Sequence, residues 1–350
     1  MQKKYLLILF IISVFNGLNA QDIHFSQINE MPLLISPANT GFYNGYFRFT
    51  MNGKNQWNSM GTKMGNAYNS GAICIDGGLF KSRRRKAFLG MGLTIAYDQA
   101  GVAQLKKTNV LLNVSGIIKV KKRGVLSAGI AGGVNATNAN YNKLTFASQF
   151  DGNYLVDNAA LNGEQTFRQY TTTDIGTGMA YEYSKVKTDQ DHDDVSSFKL
   201  AFGAYHLNRP IQDYSAGASY RLPVRLAFAF TSNFDFEDTK FTITPSLLYQ
   251  KQGKAWEIVT GTYVKYRVAM GTKVTGQKTQ NALGVGLYYR VKDALIPKIM
   301  YEMGDIAFGF SYDVNVSSYR NATRYRSGLE FCFRYNNLAS SLFDSRREFK

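Results

Sequence analysis

The sequence contains very few cysteine and histidine side chains, and this scarcity narrows the classes of protein that it can encode. Its 350 residues include 2 cysteines and 3 histidines. That is too little for a Cys-rich zinc site or a disulfide-stapled scaffold, and it leaves few histidines for a His-based catalytic centre. Metal enzymes and disulfide-stapled domains are therefore largely excluded, and we expect no catalytic, cofactor-binding or metal-binding residues.

Proline, tryptophan and acidic residues are also scarce, whereas glycine and two aromatic residues are abundant. The chain has 6 Pro and 2 Trp beside 32 Gly, 24 Phe and 23 Tyr. Aromatic residues are enriched in β-strands, so this composition favours a β fold over a helix bundle. Basic residues outnumber acidic ones by 41 to 25, which gives a formal charge of +16.

The first twenty residues predict a secretory signal peptide. Lys3 and Lys4 precede an apolar run over residues 5–15, and the small Ala20 suits cleavage before Gln21. The run is too short to span a membrane comfortably, which takes about 20 apolar residues, and no longer run follows it. An exported chain without a nucleic-acid-binding motif gives no reason to expect nucleic acid as a partner. The mature chain either is soluble outside the inner membrane or spans a membrane as strands.

Large apolar residues alternate with small or polar ones in segment after segment of the mature chain. Leu89, Met91 and Leu93, for example, alternate with Gly90 and Gly92. This period of two predicts strands with two unlike faces. We count about fourteen segments, most of about 9 to 11 residues, the length that a tilted strand needs to cross the hydrocarbon layer. They are expected to begin near Tyr46, Ala67, Phe88, Val110, Val125, Thr171, Ser197, Arg221, Phe241, Ala255, Asn281, Asp293, Asp305 and Ser327.

A soluble β-sandwich or propeller is the competing interpretation of this pattern. Its water-facing positions would carry Lys, Glu and Thr, whereas the small set here is rich in Gly, Ala and Ser. A lipid face rich in Leu, Phe and Tyr around a small-residue interior fits better. We therefore predict an all-β fold, an antiparallel transmembrane β-barrel of about 14 strands in the cell outer membrane. Pro245 and Pro297 fall inside two of the predicted strands and weaken those two assignments.

The mature chain is expected to divide into three parts. Residues 21–44 are too polar to span lipid and form a periplasmic N-terminal segment, which either folds against the periplasmic mouth of the barrel or enters its lumen as a plug. Residues 45–335 form the barrel, and residues 336–350 form a polar C-terminal tail. An even strand number puts both termini in the periplasm, so the long connection Thr137–Tyr170 is expected to be extracellular.

Two basic runs fall in connections expected on the periplasmic side. They span residues 81–86 (KSRRRK) and residues 119–123 (KVKKR). Either they are solvated turns that meet anionic lipid headgroups, or they form a docking surface for an acidic periplasmic partner. Two further connections on that side, 184–196 and 267–280, are long for periplasmic turns.

The two cysteines, Cys74 and Cys332, fall on the second and fourteenth predicted strands. In a closed barrel the first strand separates them by two strand spacings, roughly 9–10 Å. A disulfide requires Cα atoms closer than about 7 Å, so free thiols are predicted.

Several segments of the mature chain resemble a known family of outer-membrane proteins. Residues 21–27 (QDIHFSQ), 36–41 (SPANTG) and 54–57 (KNQW) resemble the opening of the PorP/SprF family of type IX secretion system proteins of Bacteroidetes. The likeness continues through residues 88–93 and 306–313, so it covers essentially the whole mature chain.

The resemblance implies a non-enzymatic barrel that acts as an accessory or anchoring subunit of type IX secretion and gliding motility. Its expected partners are a secreted surface protein of the adhesin type, periplasmic secretion components and outer-membrane lipids. Two positions depart from the family pattern, Ile23 for Pro and Lys54 for Arg, and a lysine cannot copy a bidentate guanidinium contact. The expected partner-binding residues are Phe25, Gln27, Pro37, Asn55, Gln56, Trp57, Arg83, Arg84, Arg85, Lys121, Lys122 and Arg123.

Two other functions fit a barrel of this kind. One is an outer-membrane channel or transporter for a small or lipophilic solute. The other is a lipid hydrolase that assembles Ser and His from separate strands and depends on His206, although the sequence around His206 does not resemble a nucleophile elbow.

Overall fold

The structure, a computed structural model, is a closed barrel of fourteen antiparallel strands. It describes residues 22–56, 68–81, 86–120, 123–140, 149–150, 169–188, 193–215, 218–236, 239–269, 281–318, 320–321 and 323–337. The predicted signal peptide lies outside the described residues, as does the predicted C-terminal tail beyond residue 337.

The barrel strands follow one another in chain order, and the last strand pairs with the first. β1 (Phe47–Gln56) lies between β2 (Tyr68–Leu79) and β16 (Arg326–Asn336). The strands between β2 and β16 are β3 (Ala87–Ala100), β4 (Leu105–Val120), β5 (Gly124–Asn138), β6 (Tyr170–Thr188), β7 (Asp193–Tyr205), β10 (Arg225–Asp235), β11 (Phe241–Gln252), β12 (Ala255–Ala269), β13 (Asn281–Arg290), β14 (Ala294–Met303) and β15 (Ile306–Asn315). Within the described ranges, no helix is long and apolar enough to cross a membrane.

The two ends of the barrel differ in the connections that they carry. We call the end at which β1 begins and β16 ends the lower end, and the opposite end the upper end. The lower end is the one expected to face the periplasm if both termini lie there. The longest connection, between β5 and β6, is at the upper end.

The alternation in the sequence separates a lipid-facing surface from an inner surface, as predicted. Leu89 and Met91 of β3 are exposed on the outside, whereas Gly90 and Thr94 between such residues are buried on the inside. Phe308 of β15 likewise faces outward. Because a closed barrel has no free edge, its backbone groups pair between strands around the whole circumference, as lipid requires.

The strand predicted to begin near Arg221 begins later than the sequence suggested. Residues Ala218–Arg221 form β9, which pairs with β8 (Ile211–Ser215) in a separate two-stranded sheet between β7 and β10. The barrel strand starts only at Arg225. Pro223 lies between the two elements, and its missing N–H cannot contribute to a sheet ladder.

The connection predicted over residues 184–196 is mostly strand. β6 continues to Thr188 and β7 begins at Asp193, because the ladder between them extends through the pairs Lys187–Asp194 and Thr188–Asp193. This long hairpin projects at the lower end. Its turn lies outside the described residues, as does most of the predicted connection 267–280.

Both proline-containing strands belong to the barrel. Pro245 of β11 lies opposite Thr262, and Pro297 of β14 lies opposite Leu287. On the other side of β14, pairing with β15 is interrupted at residues 296–297 and resumes in the same register. A proline is accommodated here because only the ladder on one side of the strand is lost.

The cysteines flank β1, as the strand order predicted. Cys74 lies opposite Thr50, and Cys332 lies opposite Asn52. Both thiols are free and buried.

Candidate functional site: a segment inside the lumen

The chain that precedes β1 lies inside the barrel. We call residues 22–43 the lumenal segment; most of its side chains are buried. Its first residue, Asp22, contacts the ends of strands at the upper end, and its last residue, Tyr43, approaches the start of β1 at the lower end. The segment therefore runs the length of the lumen.

Two short helical turns give the segment its shape. α1 (Pro32–Ile35) begins at a proline, which is favourable in a first helical turn. A 3₁₀ turn over Pro37–Asn39 follows, and the hydroxyl of Ser36 caps it by accepting a hydrogen bond from the N–H of Ala38 at 3.2 Å. These turns keep the chain compact enough to fit between opposite walls of the barrel.

A glycine completes the turn. Gly41 has a φ of +65°, a left-handed conformation that favours glycine, and a Cβ there would lie 2.8 Å from the Cα of Gly90. The Gly41 N–H donates to Asp76 at 2.7 Å. Three residues of the run 36–41 thus have a structural role: Ser36 caps the 3₁₀ turn, Pro37 begins it, and Gly41 adopts the left-handed conformation after it.

Glycines on one wall of the barrel allow the segment to approach closely. A Cβ on any of them would overlap the main chain or a side chain of residues 35–40. We call these four residues the glycine cradle, and its members are Gly90 on β3, Gly129 on β5, Gly178 on β6 and Gly203 on β7. The lumenal segment therefore packs against inward-facing glycines of the alternating strands.

The opposite wall binds the segment through buried charges. Glu330 accepts hydrogen bonds from the N–H groups of Ser26 and Gln27 at 2.7 and 2.9 Å, and from the amide of Asn52 on β1 at 2.8 Å. Asp313 accepts a hydrogen bond from the Ser26 hydroxyl at 2.8 Å. A buried carboxylate is tolerated only when its oxygens are bonded in this way.

A second ionic cluster surrounds Glu30. Its carboxylate lies 2.7 Å from the Lys298 ammonium and 2.8 Å from the Arg334 guanidinium, which also lies 3.1 Å from Glu302. Lys298 and Glu30 are both almost completely buried. The cluster fixes the middle of the segment to β14 and β16.

At the upper end His206 lies between two carboxylates. Its Nε2 is 2.5 Å from Asp22 and its Nδ1 is 2.9 Å from Asp174, while Arg225 Nε lies 3.5 Å from Asp22. Burial by itself lowers the pKa of His206, but the two carboxylates outweigh it and raise that pKa to about 9. Burial raises the pKa of Asp22, but the charges of His206 and Arg225 hold it well below its ordinary value. We call Asp22, Asp174, His206 and Arg225 the upper clamp.

A polar recess adjoins this clamp. Its lining includes His24, Glu257 and Gln252 beside Asp22 and Arg225. The side-chain oxygen of Gln252 accepts a hydrogen bond from the Asp22 N–H at 2.9 Å.

Every strand of the barrel contributes a residue to the surroundings of the lumenal segment. In barrel order, one such residue from each strand is Lys54, Asp76, Gly90, Ser115, Ser127, Gly178, Tyr205, Arg225, Ser246, Glu257, Arg290, Lys298, Asp313 and Glu330. The described part of the lumen is thus crossed by a bonded peptide.

The six sequence-predicted partner-binding residues that the structure describes do not lie together in one site. Phe25, Gln27 and Pro37 are buried in the lumen, where Phe25 packs in a cluster with Met31 and Leu33. Asn55 and Gln56 lie at the upper end of β1, and the Asn55 amide donates to Asn69 on β2. Arg123 lies at the lower end with one nitrogen 3.5 Å from the Tyr183 hydroxyl. The remaining six lie outside the described residues: Trp57, Arg83, Arg84, Arg85, Lys121 and Lys122.

Sequence reasoning missed the residues that hold the segment. Asp76, Asp313 and Glu330 all occupy inward-facing positions of strands that otherwise alternate apolar and small residues. A buried carboxylate requires a bonding partner. An acidic residue at an inward-facing position of a strand was therefore the sequence signal for a partner inside the lumen.

Comparison with known proteins gives one family match. A family model described as type IX secretion system membrane protein PorP/SprF matches residues 17–335. A comparison with curated protein sequences gives no significant match.

Several solved outer-membrane barrels are similar in shape. The toluene transporter TbuX of Ralstonia pickettii is 11% identical, with 88% of this chain and 94% of that one covered and a TM-score of 0.46. The toluene transporter TodX of Pseudomonas putida is 8% identical, with coverages of 88% and 93% and a TM-score of 0.44. BamA of Haemophilus ducreyi is 9% identical, with coverages of 84% and 70% and a TM-score of 0.41. Likenesses at this level say nothing about what this chain binds or transports.

Proposed function

Since the chain belongs to the PorP/SprF family of type IX secretion system membrane proteins, we propose that it is an accessory or anchoring subunit of that machinery. In this role it is a non-enzymatic outer-membrane barrel that binds a secreted surface protein and periplasmic secretion components. The family and the barrel place the chain in the outer membrane. The binding role is the proposal.

The observation that carries the proposal is the occupied lumen. Residues 25–28 and 35–43 are buried, and both walls bond to them through charged groups such as Glu330 and Asp76. A barrel built for passive passage of solutes needs a continuous water-filled path, whereas the described part of this lumen is filled by its own chain. This arrangement favours a binding surface at the ends of the barrel over a pore through it.

The lower end offers basic side chains for a periplasmic partner. Lys86 and Arg123 are exposed there, just before β3 and β5, and the end of β4 between them contacts Lys86 through the hydrogen bond from Lys119 N to Lys86 O at 2.8 Å. Both belong to the two basic runs of the sequence. An acidic protein surface would gain association rate and specificity from such a patch, and lipid headgroups are the competing ligand.

Affinity purification from gently solubilised outer membrane tests the proposal. We expect the tagged protein to recover a large secreted surface protein or periplasmic secretion components, identified by mass spectrometry. The double variant Lys86→Glu/Arg123→Glu should lose periplasmic components. The matched variant Lys254→Glu/Lys292→Glu reverses two exposed upper-end charges and should keep them. Recovery of the barrel alone would favour the channel or transporter instead.

A further inference from the structure

The barrel holds the two halves of the lumenal segment by different kinds of contact. Residues 22–30 are bound largely through their side chains, as in the pairs of Asp22 with His206 and of Glu30 with Lys298. Residues 33–43 are bound largely through their main chain. The difference indicates that the barrel wall around residues 33–43 recognises polypeptide backbone.

Main-chain carbonyls of the second half accept hydrogen bonds from side chains of the barrel wall. Ser127 donates to the carbonyl of Ala38 at 2.7 Å and Ser115 donates to that of Thr40 at 2.6 Å. The remaining acceptors and their donors are Leu33 with Tyr205, Leu34 with Arg225, Asn39 with Arg48, Phe42 with Lys199, and Tyr43 with Lys81. In the other direction, the Gly41 N–H donates to Asp76.

Such contacts do not depend on which side chains the bound peptide carries. Main-chain hydrogen bonds give affinity in other peptide-binding proteins, and side-chain pockets then give specificity. The glycine cradle adds the room that a backbone needs, since any Cβ at Gly90, Gly129, Gly178 or Gly203 would occupy it.

We propose that the barrel wall around residues 33–43 is a binding site for a short, turn-forming polypeptide, and that the lumenal segment is its resident, exchangeable occupant. The ligand class is a peptide with small or turn-forming residues where it crosses the glycine cradle. A segment of an exported partner protein would be a second occupant, and this part of the inference rests on the proposed function.

The site can be emptied without deleting any residue. Asn44 is exposed at the lower end, just beyond the segment. A specific protease site inserted after Asn44 in the full chain would be cut after folding, which leaves residues 22–43 as a non-covalent ligand. A fluorescent peptide of residues 22–43 would then be added to the cut protein in detergent.

Exchange of the labelled peptide into the folded, cut barrel is the expected result. An ester in place of the Thr40–Gly41 amide weakens the acceptor for Ser115 and removes the donor to Asp76, and should reduce affinity about tenfold or more. The control peptide has an ester between Ile23 and His24. It should bind within about threefold of the parent peptide.

Equal affinity of the two ester peptides would overturn backbone recognition. If the cut segment does not exchange, the substitution His206→Gln is introduced into the same cut protein. It removes the contact of His206 with Asp22 and so loosens the upper end of the segment. Exclusion of the labelled peptide from that folded variant as well would overturn the exchangeable site. Peptide exchange without any partner in affinity purification would leave this site standing while the proposed secretion role fails.

Discussion

At the scale of single residues, Glu330 is a buried charge in the lumen that depends on its hydrogen-bond donors. It is completely buried, and its carboxylate bonds to two main-chain N–H groups and to Asn52. It therefore joins three parts of the chain: β16, β1 and the lumenal segment. Removing its charge leaves donors without an acceptor in a place that water does not easily reach.

We expect Glu330→Gln to lower the free energy of unfolding by about 3 kcal/mol. The measurement is the temperature at which the folded barrel loses its compact migration in detergent gels. Asp293→Asn is the control, because the Asp293 side chain is 47% exposed and loss of its charge should cost less than about 1 kcal/mol. Equal effects of the two variants would show that Glu330 has no special part in holding the segment.

His206 gives the upper clamp a dependence on pH. Its pKa is 6.5 in the unfolded chain and about 9 in the folded one, so the charged imidazole stabilises the fold. This stabilisation is complete below about pH 6.5 and is lost as the pH rises through about 9. Thermal unfolding of the protein and of His206→Gln should therefore differ most at low pH and converge above pH 9. A difference that is constant across this range would contradict the ionic clamp.

At the scale of elements, the glycine cradle predicts unequal effects for two glycines of the same strand. Gly129 faces inward, and a Cβ there would lie 2.6 Å from the carbonyl of Pro37, whereas Gly132 faces outward with nothing within 4 Å. Gly129→Ala should destabilise the barrel by about 1–3 kcal/mol. Gly132→Ala should change its stability by less than about 0.5 kcal/mol.

Protease sensitivity of the lumenal segment reports the same difference. Gly129→Ala should expose the segment to cleavage under conditions in which Gly132→Ala remains protected. Protection of both variants would mean that the cradle can accept a methyl group by a shift of its walls.

The strands could be predicted from the sequence because their signal is local. Alternation of apolar and small residues, as at Leu89 and Gly90, is set by the two faces of each strand, and the predicted starts of most strands lie within a few residues of the observed ones. The prediction was wrong at Arg221, where the apolar pattern continues across Pro223 into a different sheet. It was also wrong at residues 184–196, because polar residues form the part of a hairpin that extends beyond the barrel end.

The position of the lumenal segment could not be derived in the same way. The contact between Ser26 and Glu330 joins residues 304 positions apart, and no periodicity carries that information. The polar composition of residues 21–44 is compatible with two places, the periplasmic mouth of the barrel and its lumen. What the sequence does contain is the matching chemistry: inward carboxylates such as Asp313, and a turn at Pro37 and Gly41 that only a glycine-lined wall accommodates.

At the scale of the whole molecule, the filled lumen predicts low permeability. We expect the intact protein in planar bilayers to show no steady conductance. The chain that lacks residues 22–43 should conduct, since removal of the segment leaves a wide barrel with a polar interior. A chain that lacks residues 338–350 is the control and should behave like the intact protein. A steady pore in the intact protein would favour the transporter function.

The lumenal segment is attached to β1 at the lower end, whereas Asp22 is clamped at the upper end. An intact chain can therefore withdraw the whole segment from the lumen only through the lower mouth, where Asn44 stays joined to β1. Departure through the upper mouth would leave part of the chain threaded along the lumen. The covalent connection thus gives any release of the segment a direction across the membrane.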